Sequence, residues 1–537
     1  MEAAGGHRKE GCLLNQLMTK RRIKLSELCF YLFFASLLFA KGIGLYDGQT
    51  GFKILLLVAL AGWAGKMLLT SYQRWELPLY VLLTILGGAT YLVSREKGAF
   101  LVILLLLAMK NMELKKVFRV GAAVWCTSFG ALFLLTSLHI IQSPFKVHDR
   151  LGMGRIIRWS LGYAHPNVLH ISYLALVCFL IYLLQDRFRF RYLVLLELGN
   201  LYVFMYSLST TGFLVTTICL ALVCYWKLRG HFCRVEQILI QLCLPLCLFL
   251  SFGAPLLLTG RAFDIVNKIL NTRLSLSQWF LLNQPIKLLG VDTTAIVTAV
   301  RTMDNSYVFA VITYGALFFL LVIWGYFRII YRRTIHQDGI ALCIILSCLI
   351  AGLTEPFLFN TSFKNVSLLF VGAELFSASG KEGRSSEGLN LDKEISITLP
   401  DISALRQLPL SRVKRYRGRL AGLSVVSGLV VATLLFVTAP DPERYLLPRK
   451  AFEYTDDLQE SYYLTSEEDI QKEGDCILGY QSPETEMVAF RGNIAKVERF
   501  RNTVAGGCLT SLLIFGSGCI LVCLTGRKKD GAQENEK

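Results

Sequence analysis

Continuous apolar runs of roughly 20 residues recur along the chain, separated by short polar turns. Each is long enough to cross a hydrocarbon layer of about 30 Å as a helix. The pattern predicts spans over residues 25–45, 52–71, 76–94, 98–113, 118–141, 166–184, 191–208, 212–226, 235–258, 306–327, 338–353, 360–377, 419–438 and 503–525. Strict alternation, the mark of a transmembrane barrel, is missing from these runs. A helix also satisfies its backbone within one segment, as a bilayer demands. The expected fold is an all-α polytopic membrane protein of about 12 core transmembrane helices plus a C-terminal two-helix hairpin, about 14 in all. The first run follows a basic N-terminus and lacks a small-residue cleavage site after it, so it is expected to be a retained span.

The polar positions orient these spans. The dense basic clusters RRIK at Arg21, KNMELKKVFR at Lys115, DRFRFR at Arg187, KLRGHFCR at Arg229, RIIYRR at Arg332, RVKRYRGR at Arg415 and GRKK at Lys528 all fall on one side if the N-terminus is cytoplasmic. The preference of Lys and Arg for cytoplasmic loops then predicts both termini inside. The domain plan is a cytoplasmic N-terminus over 1–24, a polytopic core over 25–377, a polar cytoplasmic linker over 378–418, a hairpin over 419–525 enclosing an exterior domain 439–502, and a tail over 526–537.

Against that background the segment 259–307 stands out as a large exterior loop between spans 9 and 10. Loops of this length are uncommon unless functional or disordered, and this one is too apolar for a disordered linker. Phe263, Val266, Ile269 and Leu270 have helical spacing, while Arg261, Asp264 and Lys268 share the opposite face. Arg273, Lys287 and Arg301 add further cations, and Trp279 suits a membrane interface. Two readings stand side by side: a platform presenting Arg to a lipid phosphate, or an amphipathic helix snorkelling its cations to headgroups. A second exterior loop, 142–165, is also basic, with Lys146, Arg150, Arg155 and Arg158. Orientation gives no reason for exterior cations beside the membrane; an anionic ligand would.

Four further stretches carry candidate chemistry. The run RWSLGYAHPN ends in His165 and Asn167 at the entrance of the sixth span, where His165 reads as a turn or cap more readily than as a base. Asp304 and Asn305 open the tenth span, where either residue type caps a helix and Asp304 could alternatively orient or deprotonate a hydroxyl. Glu355, in TEPFLFNTSFKN, and Glu197, inside the seventh span, are carboxylates at membrane depth, which are costly and either functional or paired. SLSTTG, at 207–212, reads as helix-packing residues or as a close approach to a ligand.

Composition narrows the class. The chain has 537 residues, 54% of them hydrophobic, with a formal charge of +17. The charge belongs to membrane loops, so no nucleic-acid partner is expected. The 15 cysteines lie mostly inside apolar runs without a CxxC pair or Cys/His cluster, so no metal or cofactor is predicted.

The order of these stretches carries a resemblance. A basic exterior loop ending in GYAHPN, then SLSTTG between two spans, then LTGRAFD opening the large loop, then DNSYVFAVITYG, resembles the O-antigen ligase/polymerase family of bacterial envelope enzymes. It is most similar to the capsule and exopolysaccharide polymerases, over residues 25–377. The resemblance implies inverting, metal-independent transfer of a glycan from undecaprenyl pyrophosphate at the exterior face of the cytoplasmic membrane. The implied partners are that lipid-linked glycan, membrane lipid, and a chain-length regulator and flippase of the same pathway.

Residue by residue, Arg261 matches the Arg that opens the family's large loop and contacts the donor pyrophosphate. Arg158 lies among the basic residues of the preceding loop. Asp304 and Asn305 stand where ligases often show His-Asn, which favours a polymerase. Gly212 and Phe213 stand where an Arg often follows the small residues. The implied site therefore has Asp304, His165 and Glu355 as candidate catalytic groups. Arg261, Arg158, Arg273, Arg301, Lys268, Asn167 and Asn305 are its candidate binding groups. The alternatives are a ligase acting on a different acceptor and a lipid-linked oligosaccharide flippase, whose cations should line a central cavity instead of the loops.

Overall fold

The computed structural model describes residues 18–73, 76–138, 140–149, 155–294, 302–376, 393–400, 410–439, 445–448, 476–482, 487–491 and 494–533. They form two compact units, one made of Leu25–Lys146 with Arg158–Lys393, the other of Met1–Lys24, Val147–Ile157 and Glu394–Lys537.

The larger unit is a helical bundle. Its helices are α1 (Leu25–Gly42), α2 (Thr50–Leu69), α3 (Glu76–Ser94), α4 (Gly98–Ala108), α5 (Leu114–Ser137), α6 (Pro166–Leu184), α7 (Phe190–Ser207), α8 (Thr210–Arg229), α9 (Arg234–Leu248), α10 (Gly260–Ile269), α11 (Arg273–Asn283), α12 (Ser306–Phe309), α13 (Gly315–Ile335), α14 (Gly339–Ala351) and α15 (Leu368–Leu375). Among the described residues of the whole chain, 10 helical stretches are long and apolar enough to cross a membrane, while α4 and α14 are shorter apolar helices. The protein is thus a multi-pass helical membrane protein. α2 and α3 leave Leu57, Leu68, Leu82 and Ile85 exposed. Water would penalise that area at about 25 cal/mol per Å²; lipid tails do not. The core is lined instead by α4, α6 and α14, whose side chains are buried nearly all round.

The long loop is clamped to the bundle. α9 continues through a π turn, Phe249–Gly253, into Ala254–Leu257, and α12 passes through a second π turn, Ala310–Tyr314, into α13. The second irregularity has a visible cause. The loop's return strand inserts beside it: the Val291 amide donates to the Ile312 carbonyl (3.1 Å), and the Ala316 and Leu317 amides donate to the Lys287 and Leu288 carbonyls (3.0 and 3.2 Å). Gly290 (φ +85°) and Gly315 (φ +87°) meet there in left-handed conformations, and a Cβ on either would run into the other segment's backbone.

One expected span is corrected. Residues 360–377 are helical only from Leu368 onward, and 352–367 form an irregular, mostly buried connection. Asn and Ser side chains there bond nearby backbone in place of a helix. Asn360 Oδ1 accepts from the Ser362 amide (2.9 Å), and Asn365 Oδ1 accepts from the Ser367 amide (3.2 Å) while its Nδ2 donates to the Leu358 carbonyl (2.8 Å). Irregular backbone is tolerated at membrane depth when protein surrounds it.

The smaller unit departs from an all-helical plan. The expected N-terminal tail and polar linker contribute two antiparallel strands, β1 (Met18–Lys24) and β4 (Glu394–Pro400), in the register Arg21 to Ile397. Strands β2 (Phe145–Asp149) and β3 (Arg155–Trp159) pair across the basic loop 142–165. In the C-terminal insertion, β5 (Tyr445–Pro448), β6 (Cys476–Ser482) and β7 (Met487–Arg491) form a sheet with β7 central. The terminal hairpin pairs α16 (Leu410–Thr438) with α17 (Ile494–Gln533). Its close contact runs over small residues: a Cβ on Gly507 would lie 3.0 Å from Ala432 Cβ and from the Gly428 carbonyl.

Candidate functional site

The site is built where the ends of α8, α11 and α12 meet the connection 352–367. Asn305 caps α12: its Oδ1 accepts from the Tyr307 and Val308 amides (2.9 and 3.2 Å), and its Nδ2 donates to Ser251 Oγ (3.0 Å). That is a structural role. Ser306 stitches this helix start to the connection. Its amide donates to the Gly352 carbonyl (2.8 Å) and its hydroxyl to the Glu355 carbonyl (2.5 Å), while its Oγ accepts from the Leu358 amide (3.2 Å).

Asp304, one residue before the cap, pairs with Arg273 Nη2 at 2.8 Å. Arg273 starts α11 just after Asn271 (φ +50°) and Thr272 (φ +68°). Left-handed backbone at two successive residues with side chains is strained, most of all at a β-branched one. The turn is held by the Thr272 amide on the Asn267 carbonyl (2.8 Å) and by Asn267 Oδ1, which accepts from the Ser275 amide (3.0 Å). Arg273 Nη1 donates to the Asn271 carbonyl (2.8 Å). Its Nε is buried without a hydrogen-bond partner among the described residues. Arg273 lines a shallow, closely packed cleft together with Ser277, Thr302, Asp304 and Asn305.

Glu355 lies behind this cleft. Its Oε1 accepts from Thr211 Oγ1 (3.3 Å), in the SLSTTG stretch. Burial pushes its carboxyl up to about 7, and the Asp304 charge adds to the rise, while Arg273, the Thr211 hydroxyl and Arg158 oppose it. On the same connection, Lys364 donates its ammonium to the Val168 carbonyl (3.1 Å). Burial and the Lys41 charge push Lys364 down to about 7, against the pull of Glu355.

Arg158 closes the cluster on the side of α6 and α7. Its Nε donates to the Ser207 carbonyl (2.9 Å) and its Nη2 to Asn167 Oδ1 (2.7 Å). His165 accepts the Asn167 amide at Nδ1 (3.2 Å) and is the N-cap of α6. The Ser160 and Ser209 hydroxyls nearby are buried without partners among the described residues, a state that polar groups rarely keep unless something else satisfies them.

Beneath Arg158 a polar network enters the bundle. His170 contacts Ser207 Oγ through Nδ1 (2.9 Å) and Asn200 Oδ1 through Nε2 (2.8 Å). The Asn200 amide nitrogen faces Glu197, the Phe213 carbonyl and Thr217 Oγ1, so its oxygen must face His170. Nε2 therefore carries the proton and Nδ1 accepts from the Ser207 hydroxyl. Gly212 makes room for this ring, since a Cβ there would lie 2.7 Å from His170. Glu197, at the far end, accepts from Thr217 Oγ1 (2.7 Å).

The structure thus gathers Arg158, Asn167, Arg273, Asp304, Asn305 and Glu355 around one locus, with His165 at its edge. Arg261 and Lys268 lie on the exposed face of α10, opposite the half-buried Phe263 and Val266. Ile269, expected on the apolar face, is exposed, because α10 ends at that residue. Arg301 and Arg150 lie outside the described residues. Lys364, Lys41, Thr211 and His170 were not among the sequence-derived candidates. Lys364 had a signal, a lone lysine inside an apolar stretch two residues past the Asn-Thr-Ser turn, and Thr211 lies in the SLSTTG stretch already singled out; Lys41 and His170 read as ordinary span residues.

Charge is what distinguishes the locus. Among its described residues, Arg158 (0% exposed), Lys364 (5%) and Lys41 (8%) are sealed cations, whereas the comparably buried carboxylate is Glu355 (7%). Comparison of the chain with family models, characterised protein sequences and solved structures gives no match.

Proposed function

We propose that the chain transfers lipid-diphosphate-linked oligosaccharide repeat units to a growing glycan, as a surface-polysaccharide polymerase of the O-antigen ligase/polymerase type. The observation that carries the reading is the placing near Glu355 of Arg273, whose Nε has no hydrogen-bond partner among the described residues, and of buried Lys364, whose ammonium makes one hydrogen bond. Buried charge is expensive unless matched, and a diphosphate would match it. In this reading the basic turns keep both termini cytoplasmic, with the cluster at the exterior face of the cytoplasmic membrane. Undecaprenyl pyrophosphate is the carrier implied by the resemblance.

In this mechanism an acceptor hydroxyl attacks the anomeric carbon from the face opposite the diphosphate. The new C–O bond forms as the bond to the diphosphate oxygen breaks, so configuration inverts. The bonding pair leaves with the diphosphate, whose growing charge is met by Arg273 through its open Nε, with Arg158 and Lys364 behind it. One such prepositioned donor is worth about 10²–10³ in rate. The hydroxyl proton passes to Glu355, whose carboxyl, at about 7, is matched to base work near neutral pH and worth about 10²–10⁴. Asp304 holds Arg273, while His165 and Asn305 cap helices and serve the site by position. Arg261 and Lys268, exposed on α10, suit headgroup contact and capture of the donor.

The transporter reading draws on one observation: Lys110 pairs with Glu76, beside buried Lys66, at the other ends of α2, α3 and α4. In cells, the polymerase reading predicts that Arg273→Ala abolishes long glycan while single lipid-linked repeat units accumulate at the exterior face. Accumulation at the cytoplasmic face instead would favour the transporter.

A further inference from the structure

We infer that Lys364, over the Tyr163 ring, and Lys41, next to the glycine whose carbonyl Tyr163 binds, form a second phosphate subsite of the donor diphosphate, separate from the Arg273 cleft. The inference rests on the lipid-diphosphate reading above.

The geometry joins the two lysines through one residue. Tyr163 donates its hydroxyl to the carbonyl of Gly42, next to Lys41 (2.8 Å), and its ring centroid lies 5.3 Å from the Lys364 ammonium. The Lys41 ammonium lies 4.0 Å from the Phe52 ring centroid and makes no hydrogen bond to a described residue. Lys364 spends one of its three donors, on Val168. Two ammonium groups under a tenth exposed repel each other, and the groups around them do not cancel the charge. Asp47, the carboxylate that acts on Lys41, is held by Lys97 at 2.9 Å. Glu355, the carboxylate that acts on Lys364, is itself buried and shared with Arg273 and Arg158.

The backbone also keeps Lys364 in place at a cost. Phe363, the residue before it, has φ +53°, a left-handed conformation that an aromatic side chain rarely adopts. Strain of this kind persists where surrounding structure over-determines it, and it concentrates at ligand sites. The lowered Lys364 pKa agrees with a cation awaiting a counter-ion. A phosphate group held here would meet the donors that Lys364 leaves unused.

The test is binding, with the purified full-length protein titrated with farnesyl diphosphate, inorganic pyrophosphate and farnesol. Lys364→Met and Lys41→Met are expected to weaken farnesyl diphosphate at least tenfold, and Lys364→Arg to retain most of the affinity. Lys364→Met should still fold, since it removes a buried charge and the Val168 carbonyl keeps the Ser172 hydroxyl as donor (2.6 Å). Where the lysine variants lose affinity the subsite is supported, and tighter binding of farnesyl diphosphate than of pyrophosphate then identifies a lipid ligand, equal binding a free diphosphate. Wild-type affinity in both lysine variants alongside loss in Arg273→Met overturns the subsite and leaves the proposed function standing. A folded wild type that binds neither diphosphate overturns both.

Discussion

Asp304 lies 2.8 Å from the Arg273 guanidinium, and that pair decides which carboxylate is left for chemistry. The Asp304 carboxylate is engaged by that ion pair and holds the guanidinium in place. Glu355, buried and shifted upward, is the better base. The pH dependence of turnover separates them. In wild type, activity rises with pH as Glu355 ionises near 7. Asp304→Asn lowers activity and moves that inflection to lower pH, because the Asp304 charge contributes to the rise; Glu355→Gln lowers activity by about 10²–10⁴ and removes the inflection. An inflection that survives in Glu355→Gln would place the base elsewhere.

Glu355 also ties stability to pH. Burial pushes its folded carboxyl up to about 7, above the ordinary 4.5. A group raised in this way contributes stability that is fully present below the unfolded value and is lost as pH rises through the folded one. The displacement corresponds to about 3 kcal/mol as an upper order of magnitude. Thermal unfolding in detergent should therefore show wild type losing stability between pH 4.5 and 8 relative to Glu355→Gln. Parallel curves for the two proteins would contradict the assignment.

The network under Arg158 makes a separate prediction. Replacing His170 by Ala strips the Asn200 oxygen of its donor and the Ser207 hydroxyl of its acceptor at once. Leaving a buried polar group unpaired costs about 1–3 kcal/mol, so the unfolding midpoint should fall measurably. Thr217→Val, at the far end beside Glu197, should cost less because Asn200 still faces that carboxylate. Equal losses would show that the network is not the source of the stability.

The loop clamp can be tested with alanine. Gly290→Ala and Gly315→Ala force a Cβ into opposing backbone at positive φ, so both should lose folded yield. Gly88→Ala, on α3 with nothing within 4 Å, should behave as wild type or gain slightly in helix propensity. Size-exclusion profiles of the three report the difference.

How far the sequence carried the account depends on the residue. Helical runs such as 76–94 were legible because apolar length alone sets a span, and α3 matches that range. The short α15 was misjudged, since hydropathy does not register that Asn360 and Asn365 bind backbone and unwind the segment. The cluster itself was partly legible: Arg158 and Arg273 stood out as exterior-loop cations, Asp304 as a helix cap or base, and Glu355 as a carboxylate at membrane depth. Their division of roles was not, because pairing is a tertiary property. Asn305 and His165 turned out to cap helices, as their positions allowed. Lys41 looked like the end of a first span, and only the packing of Tyr163 links it to Lys364.

The most direct measurement is reconstitution. The purified protein is supplied with lipid-diphosphate-linked repeat units from the same cell, and the glycan products are resolved on a gel beside Arg273→Ala and Arg261→Ala. The account predicts a ladder from wild type, its loss in Arg273→Ala, and a weakened ladder in Arg261→Ala. No product from folded wild-type protein, with lipid-linked glycan crossing the bilayer of liposomes that contain it, would contradict the account.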